Sequence, residues 1–183
     1  LSMTHDEVRE ATKFAVEYAK EQGALISFDP NIREPLWSSM DLARKQVEYG
    51  LGMCDILKIS DNEIVWLTGE EDYSKGVAEL KEKYDIPLIL VSMGKEGSRA
   101  YYKDSMVEKS AFVQPNTIET TGAGDTFMAC VLHKVLQDGL ENLKEEQLDE
   151  MLTFANAAAS LITTRKGALR VMPEEHDIRE MIG

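Results

Sequence analysis

The chain has 183 residues, 43% hydrophobic and 29% charged, which suits one globular domain, residues 1–183, and excludes a disordered or fibrous polypeptide. Its 33 acidic and 20 basic residues give a net charge of −13, which repels phosphate backbones and anionic lipid and argues against nucleic-acid or membrane partners. The two cysteines, Cys54 and Cys130, lie far apart and outside any C-x-x-C spacing, which points away from a disulfide framework or zinc site and toward a reducing cytoplasm. The sequence has no run of about 18 apolar residues and no basic-then-apolar leader pattern.

Helical spacing over residues 6–22 places Val8, Ala11, Thr12, Ala15 and Ala19 on one stripe, with Gly23 as a stop. The short apolar run Ala24-Leu25-Ile26-Ser27-Phe28 reads as a buried strand, and Pro30 and Pro35 then force a loop. A helix over 38–50 and a strand over 56–59 follow. Ser60-Asp61-Asn62-Glu63 offers a cap and an acidic first turn for a short helix to Leu67, closed by Gly69. After a helix over 74–84, Leu88-Ile89-Leu90-Val91 is a third buried strand. Residues 97–103 and 106–111 form a hairpin, and helices over 123–137 and 145–164 complete the core. Apolar strands alternating with helices predict a parallel sheet covered on both faces. No internal repeat, low-complexity tract or domain linker interrupts the pattern.

Chemistry is densest at Glu119-Thr120-Thr121-Gly122-Ala123-Gly124-Asp125-Thr126-Phe127. Glycines flanking an alanine let backbone approach a ligand, and the helix opening there aims free N–H groups and a positive dipole end at it. Asp125 in that first turn is favoured as an anion and is suited to take a proton from a neighbouring hydroxyl. A tight turn with Asp125 merely complementing the dipole fits the spacing equally well. A second cluster, Ser92-Met93-Gly94-Lys95-Glu96-Gly97-Ser98, follows the third strand where open α/β sheets bind ligands; alone, it reads better as a hairpin turn. G-x-x-x-x-G-K-[ST], a strand-linked G-x-G-x-x-G and a protein-kinase catalytic loop are all absent from the sequence. His5, His133 and His176 are scattered and suggest no metal site, while Met128, Val131, Leu132 and Val135 follow core spacing behind the cradle.

Thr120-Thr121-Gly122-Ala123-Gly124-Asp125-Thr126-Phe127 strongly resembles the second signature of the PfkB, or ribokinase-like, carbohydrate kinases. Three further stretches fall in matching order. They are Ser27-Phe28-Asp29-Pro30-Asn31-Ile32-Arg33-Glu34-Pro35-Leu36-Trp37, then Leu57-Lys58-Ile59-Ser60-Asp61-Asn62-Glu63 with Leu67-Thr68-Gly69, and Thr164-Arg165-Lys166-Gly167-Ala168. The F-D-P-N-x-R-x-x-L-W stretch is most similar to bacterial fructokinases, with 2-keto-3-deoxygluconate kinases close behind. The resemblance implies an α/β fold: a ribokinase-like three-layer α/β/α sandwich with a mostly parallel central sheet. It implies transfer of the γ-phosphate of ATP to a sugar hydroxyl, with Mg²⁺ as cofactor.

By the same resemblance Asp125 is the catalytic base, and the N–H groups of Gly122, Ala123, Gly124 and Asp125 form the anion hole for the transferring phosphoryl group. Ser92, Gly94 and Gly97 lie along the nucleotide and Asn156 sits near the adenine; without the family, Asn156 reads as a helix-face polar residue. The family's N-x-x-E motif is Ser60-Asp61-Asn62-Glu63 here, so Ser60 takes the asparagine's place at the nucleotide and Glu63 keeps a water-mediated role at Mg²⁺. Asp29, Asn31 and Arg33 face substrate or phosphate, with a surface salt bridge as the alternative for Arg33. Glu119 stands where many relatives carry aspartate, in a region that together with Thr164-Arg165-Lys166-Gly167-Ala168 binds a monovalent cation, which makes K⁺ a further candidate.

Relatives also carry an N-terminal portion with a glycine-rich first signature, sugar-contacting residues and a small β-sheet lid, none of which occurs in this sequence. The expectation is the nucleotide-binding and catalytic part of a longer kinase, inactive by itself and homodimeric when whole, with a sheet edge left unpaired. A truncated, nonenzymatic nucleotide-binding module is the alternative from another class. 2-Keto-3-deoxygluconate and ribose are the alternative substrates.

Overall fold

A computed structural model describes residues 2–183 as mixed α/β, in two compact units that divide after Val91. In the first unit, helix α1 (Asp6–Glu21) leads to strand β1 (Ser27–Phe28), then helix α2 (Met40–Met53) and strand β2 (Ile56–Ser60). Helices α3 (Asp61–Thr68) and α4 (Tyr73–Tyr84) precede strand β3 (Leu88–Ser92). The strands follow the order β1-β2-β3, with β1 parallel to β2 through Ser27 opposite Ile56 and Phe28 opposite Leu57. Four consecutive buried residues in both β2 and β3 show that both faces of these strands are covered, as a parallel sheet requires. Leu51, Ile56, Leu57, Ile59, Ile64, Leu88, Ile89 and Leu90 form this core.

Two expectations fail at the edge. The apolar run from Ala24 contributes only Ser27 and Phe28 to the sheet, and Leu25 is 52% exposed. Helix α1 ends by donating Gly23 N–H to the Lys20 carbonyl and Ala24 N–H to the Ala19 carbonyl, each at 3.0 Å, so the helix stop holds Ala24 out of the ladder. Ile26 then donates to the Asp55 carboxylate at 2.7 Å instead of to a strand carbonyl. The stripe on α1 is likewise not buried: Val8, Ala11 and Ala15 are exposed, and the buried residue of the helix is Arg9, which donates to the Met3 carbonyl at 2.9 Å and to Asp6 at 2.7 Å. Helical periodicity identified the helix correctly but could not tell whether anything lies against it.

In the second unit, strands β4 (Ser98–Tyr102) and β5 (Ser105–Lys109) form the expected hairpin, antiparallel with Tyr102 opposite Ser105. Helices α5 (Ala123–Asp138) and α6 (Glu145–Ile162) pack together, α6 also lies on both strands, and α7 (Glu175–Ile182) closes on α6. Ala155, Ala157 and Ala158 are fully buried, and these small side chains allow the close approach. Helix α7 is an element that the sequence reading lacked. Its single buried residue, Ile178, leaves almost no apolar stripe to read, and it docks on Ala157 and Ala158 beside Phe154 and Met181. Arg165 donates to Asp177 at 2.8 Å, a bond that holds the Asp177 carboxyl below its usual range. Both cysteines are free thiols, and burial pushes Cys54 up to about 12 and Cys130 up to about 11. Among the described residues no helix is long and apolar enough to cross a membrane.

Candidate active site

The second unit builds the glycine cradle. Gly122 caps α5 at φ 80°, and a Cβ there would stand 3.2 Å from Ile162 Cδ1 and 3.4 Å from Ala168 Cβ, so both conformation and space favour glycine. The first intrahelical bond runs from Thr126 N–H to the Gly122 carbonyl at 2.8 Å, which leaves the amides of Gly124 and Asp125 in the unpaired first turn. Ala123 N–H instead donates to the Thr120 carbonyl at 3.1 Å. Asp125 is exposed, while Thr126, Phe127 and Met128 behind it are buried and anchor the helix. The tight turn is therefore present, and it leaves the first-turn amides of Gly124 and Asp125 unpaired.

The approach to this turn is stapled to α6. Ile118 and Glu119 both donate their N–H to the Thr163 carbonyl, at 2.8 and 3.2 Å, and Glu119 Oε1 accepts Gly167 N–H at 2.5 Å. Glu119 thereby joins the two stretches singled out for a monovalent cation.

Beside the cradle, Gly94, Lys95, Phe112, Ala123, Asn156 and Ser160 contribute to the walls of a cavity of about 400 Å³. Asn156 is buried, but its side chain is engaged by protein: it accepts from Ser98 Oγ at 2.9 Å and donates to the Lys109 and Ser110 carbonyls at 3.1 and 3.3 Å. It clamps the hairpin to α6. Gly97 is buried against that same hairpin end, whereas Gly94 is exposed and a Cβ on it would meet open space. Ser92 ends β3 just before this turn.

The first unit gathers a different set. Glu63 is buried, and both of its oxygens are occupied: Oε1 accepts Ile32 N–H at 2.7 Å, and Oε2 accepts Ser60 N–H and Oγ–H at 2.9 and 2.8 Å. One carboxylate thus caps α3 and holds the loop after β1. Asp29 pairs with Lys58 at 2.9 Å, the lysine side chain being 9% exposed. Asn31 adopts φ 42°, and Arg33 is exposed with its guanidinium on the Ile32 carbonyl at 3.2 Å and no ion pair among the described contacts. The partnership of Lys58 with Asp29 was missed, although a lone cation inside the apolar run Ile56-Leu57-Lys58-Ile59 was a readable signal. The cavity walls at Phe112 and Ser160 carried no such signal, since they come together only through the packing of α6. Among the described residues no three His, Cys, Asp or Glu side chains are grouped to hold a metal ion.

Residues 2–175 match the family described as pfkB family carbohydrate kinase. The chain belongs to this family. A probable fructokinase-2 from Arabidopsis thaliana is 39% identical over 175 residues, covering 96% of this chain and 53% of the relative. The chain spans about half the length of this relative, of a probable fructokinase-4 from Arabidopsis thaliana and of a fructokinase-1 from Zea mays. A fructokinase double mutant from Vibrio cholerae, solved with fructose, ADP and potassium ion, superposes with a TM-score of 0.87 at 27% identity, over 100% of this chain and 58% of that one. A putative ribokinase II from E. coli in complex with ATP and Mg²⁺ gives 0.80 at 26% identity, over 94% and 53% of the two chains. The fold is accordingly ribokinase-like.

Ser60 offers a test confined to the first unit. Its hydroxyl accepts Glu63 N–H at 3.4 Å and donates to the Glu63 carboxylate, so Ser60→Ala removes the cap and is expected to cost about 1 kcal/mol in chemical denaturation. No loss of stability would show that the cap is unimportant.

Proposed function

We propose that the chain is the nucleotide-binding and catalytic part of an ATP-dependent sugar kinase of fructokinase type. The observation that carries the reading is the sterically enforced glycine at the start of α5, with unpaired first-turn amides and the exposed Asp125 beside them. Such an N-terminus binds phosphoryl oxygens through N–H groups and the helix dipole, and a carboxylate in the same turn is placed to orient a sugar hydroxyl and take its proton late in a loose transfer. In this reading Gly122, Gly124 and Asp125 supply anion-hole amides, and Ala123 exchanges its turn bond with Thr120 for a phosphoryl oxygen. Ser92, Gly94 and Gly97 shape the nucleotide side. Asn156 acts there by holding the wall, and Ser60 acts through Glu63.

Glu63 fits a Mg²⁺ role through water, because three donors already orient its oxygens and Mg²⁺ favours one or two carboxylates with waters and substrate phosphates. Bound Mg²⁺ would neutralise charge on the phosphates. Asp29, held by Lys58, together with Asn31 and the exposed Arg33, is assigned to substrate or phosphate. The Glu119 to Gly167 contact supports K⁺ as a structural cation of these loops. Fructose is preferred over 2-keto-3-deoxygluconate or ribose because the residues from Phe28 to Trp37 resemble fructokinases and the matched relatives carry that name. The domain as a single 1–183 body, a homodimer of the longer protein and a cytoplasmic location belong to the same proposal.

An ADP-release assay on the longer protein, over fructose, ribose, 2-keto-3-deoxygluconate and nucleosides, tests it. Fructose-dependent ADP release at the highest kcat/KM is expected, and nucleotide binding without turnover on any acceptor would favour the nonenzymatic module. The 183 residues alone are expected to bind ATP weakly and to release no ADP in response to sugar.

A further inference from the structure

Resting on the kinase reading, we infer that Arg165 and Asp177 are a positioning pair through which helix α7 holds residues 163–168 against the start of α5 and so keeps the cradle amides in place. One face of this loop meets the cradle. Gly167 donates its N–H to Glu119 Oε1, and a Cβ on Gly122 would stand 3.4 Å from Ala168 Cβ and 3.5 Å from Ala168 Cα, so Ala168 backs the residue that caps α5. Gly167 itself lies at φ 124°, a backbone angle that residues with side chains avoid. The other face of the loop is held by polar contacts. Arg165 Nη2 donates to Asp177 Oδ2 at 2.8 Å, and Nη1 donates to the Val171 carbonyl at 3.4 Å. Leu169 is 82% exposed, so its side chain does not anchor the loop by apolar packing.

Helix α7 is anchored without Arg165. Ile178 is buried on Ala157 and Ala158 of α6, and Asp177 Oδ2 also accepts Glu174 N–H at 3.3 Å, at the start of α7. The carboxylate thus stands on an element fixed to α6, and the guanidinium on the loop closes onto it. The two side chains are 36% and 27% exposed, and a partly exposed ion pair adds little to global stability. What this one fixes is a position. Without it Ala168 and the bond from Gly167 to Glu119 are free to shift, and a displacement of about 1 Å passed to the groups that hold a reacting phosphoryl can cost about 10²-fold in rate even when its origin is far from the chemistry.

Steady-state kinetics, calorimetric titration with inorganic tripolyphosphate and denaturant unfolding of the longer protein test the inference. Arg165→Met is expected to lower kcat with fructose by about tenfold to a hundredfold and to weaken tripolyphosphate binding by about tenfold, with KM for fructose within about threefold and the unfolding midpoint unchanged. Arg165→Lys, which keeps a cation within reach of Asp177, should recover most of the loss. Asp177→Asn should match Arg165→Met, and the double variant should be no worse than either, as expected of two residues that act through one contact. A kcat within about threefold of the unsubstituted protein in both single variants would overturn the positioning role while the kinase reading stands. A loss of turnover that tracks a lowered unfolding midpoint would overturn it too, by making the pair structural. Absence of sugar-dependent ADP release by the unsubstituted protein would overturn the kinase reading together with this inference.

Discussion

Replacing Asp125 with asparagine in the longer protein is expected to lower kcat by about 10² to 10⁴ while the affinity for MgATP stays within about threefold. Asparagine preserves the size of the side chain and its place in the first turn of α5, but it cannot accept the hydroxyl proton. Thr126, Phe127 and Met128 pack the buried side of that turn, and Asp125 itself is exposed, so the substitution should not disturb the fold. Single-turnover kinetics with separate measurement of nucleotide binding distinguishes the two effects. A fall in kcat of less than about tenfold would exclude Asp125 as general base, and an equal fall in nucleotide affinity would assign it to binding.

The largest effect on stability is expected from Gly97→Ala. Gly97 lies at φ 118°, and a Cβ would overlap the Lys109 carbonyl oxygen and stand 2.8 Å from Ser110 Cα and 2.9 Å from Ala111 N. All three obstacles are backbone, so no rotamer change relieves them. The hairpin end would have to open at the place where Asn156 receives its carbonyl partners, and a loss on the order of 3 kcal/mol is expected in denaturant unfolding. Gly94→Ala is the matched control: φ is 57° there, but nothing lies within 4 Å of the added Cβ, so only the left-handed conformation costs, about 1 to 2 kcal/mol. Equal effects at the two glycines would mean that the close approach of Gly97 to β5 is not what requires glycine.

The order of the strands and of every α-helix but α7, the cap at Ser60, and the turn that starts α5 were readable in the amino-acid sequence. Each depends on residues within a few positions of one another, where periodicity, capping chemistry and glycine spacing act directly. Tertiary structure decided what those local patterns meant. Ala24 and Leu25 have the composition of a buried strand, yet Ala24 bonds back to the end of α1, Ile26 N–H goes to the Asp55 carboxylate, and Leu25 stays exposed. Asn156 is one polar residue on a helix until β4 and β5 lie across α6 and engage every bond that its amide can donate. Lys58 becomes half of a largely buried ion pair only because Asp29, far away in sequence, closes on it, and α7 has too narrow an apolar face to announce itself before Ala157 and Ala158 receive Ile178. Burial and side-chain engagement are properties of pairs brought together across the chain, and a local pattern records one member of each pair without identifying the other.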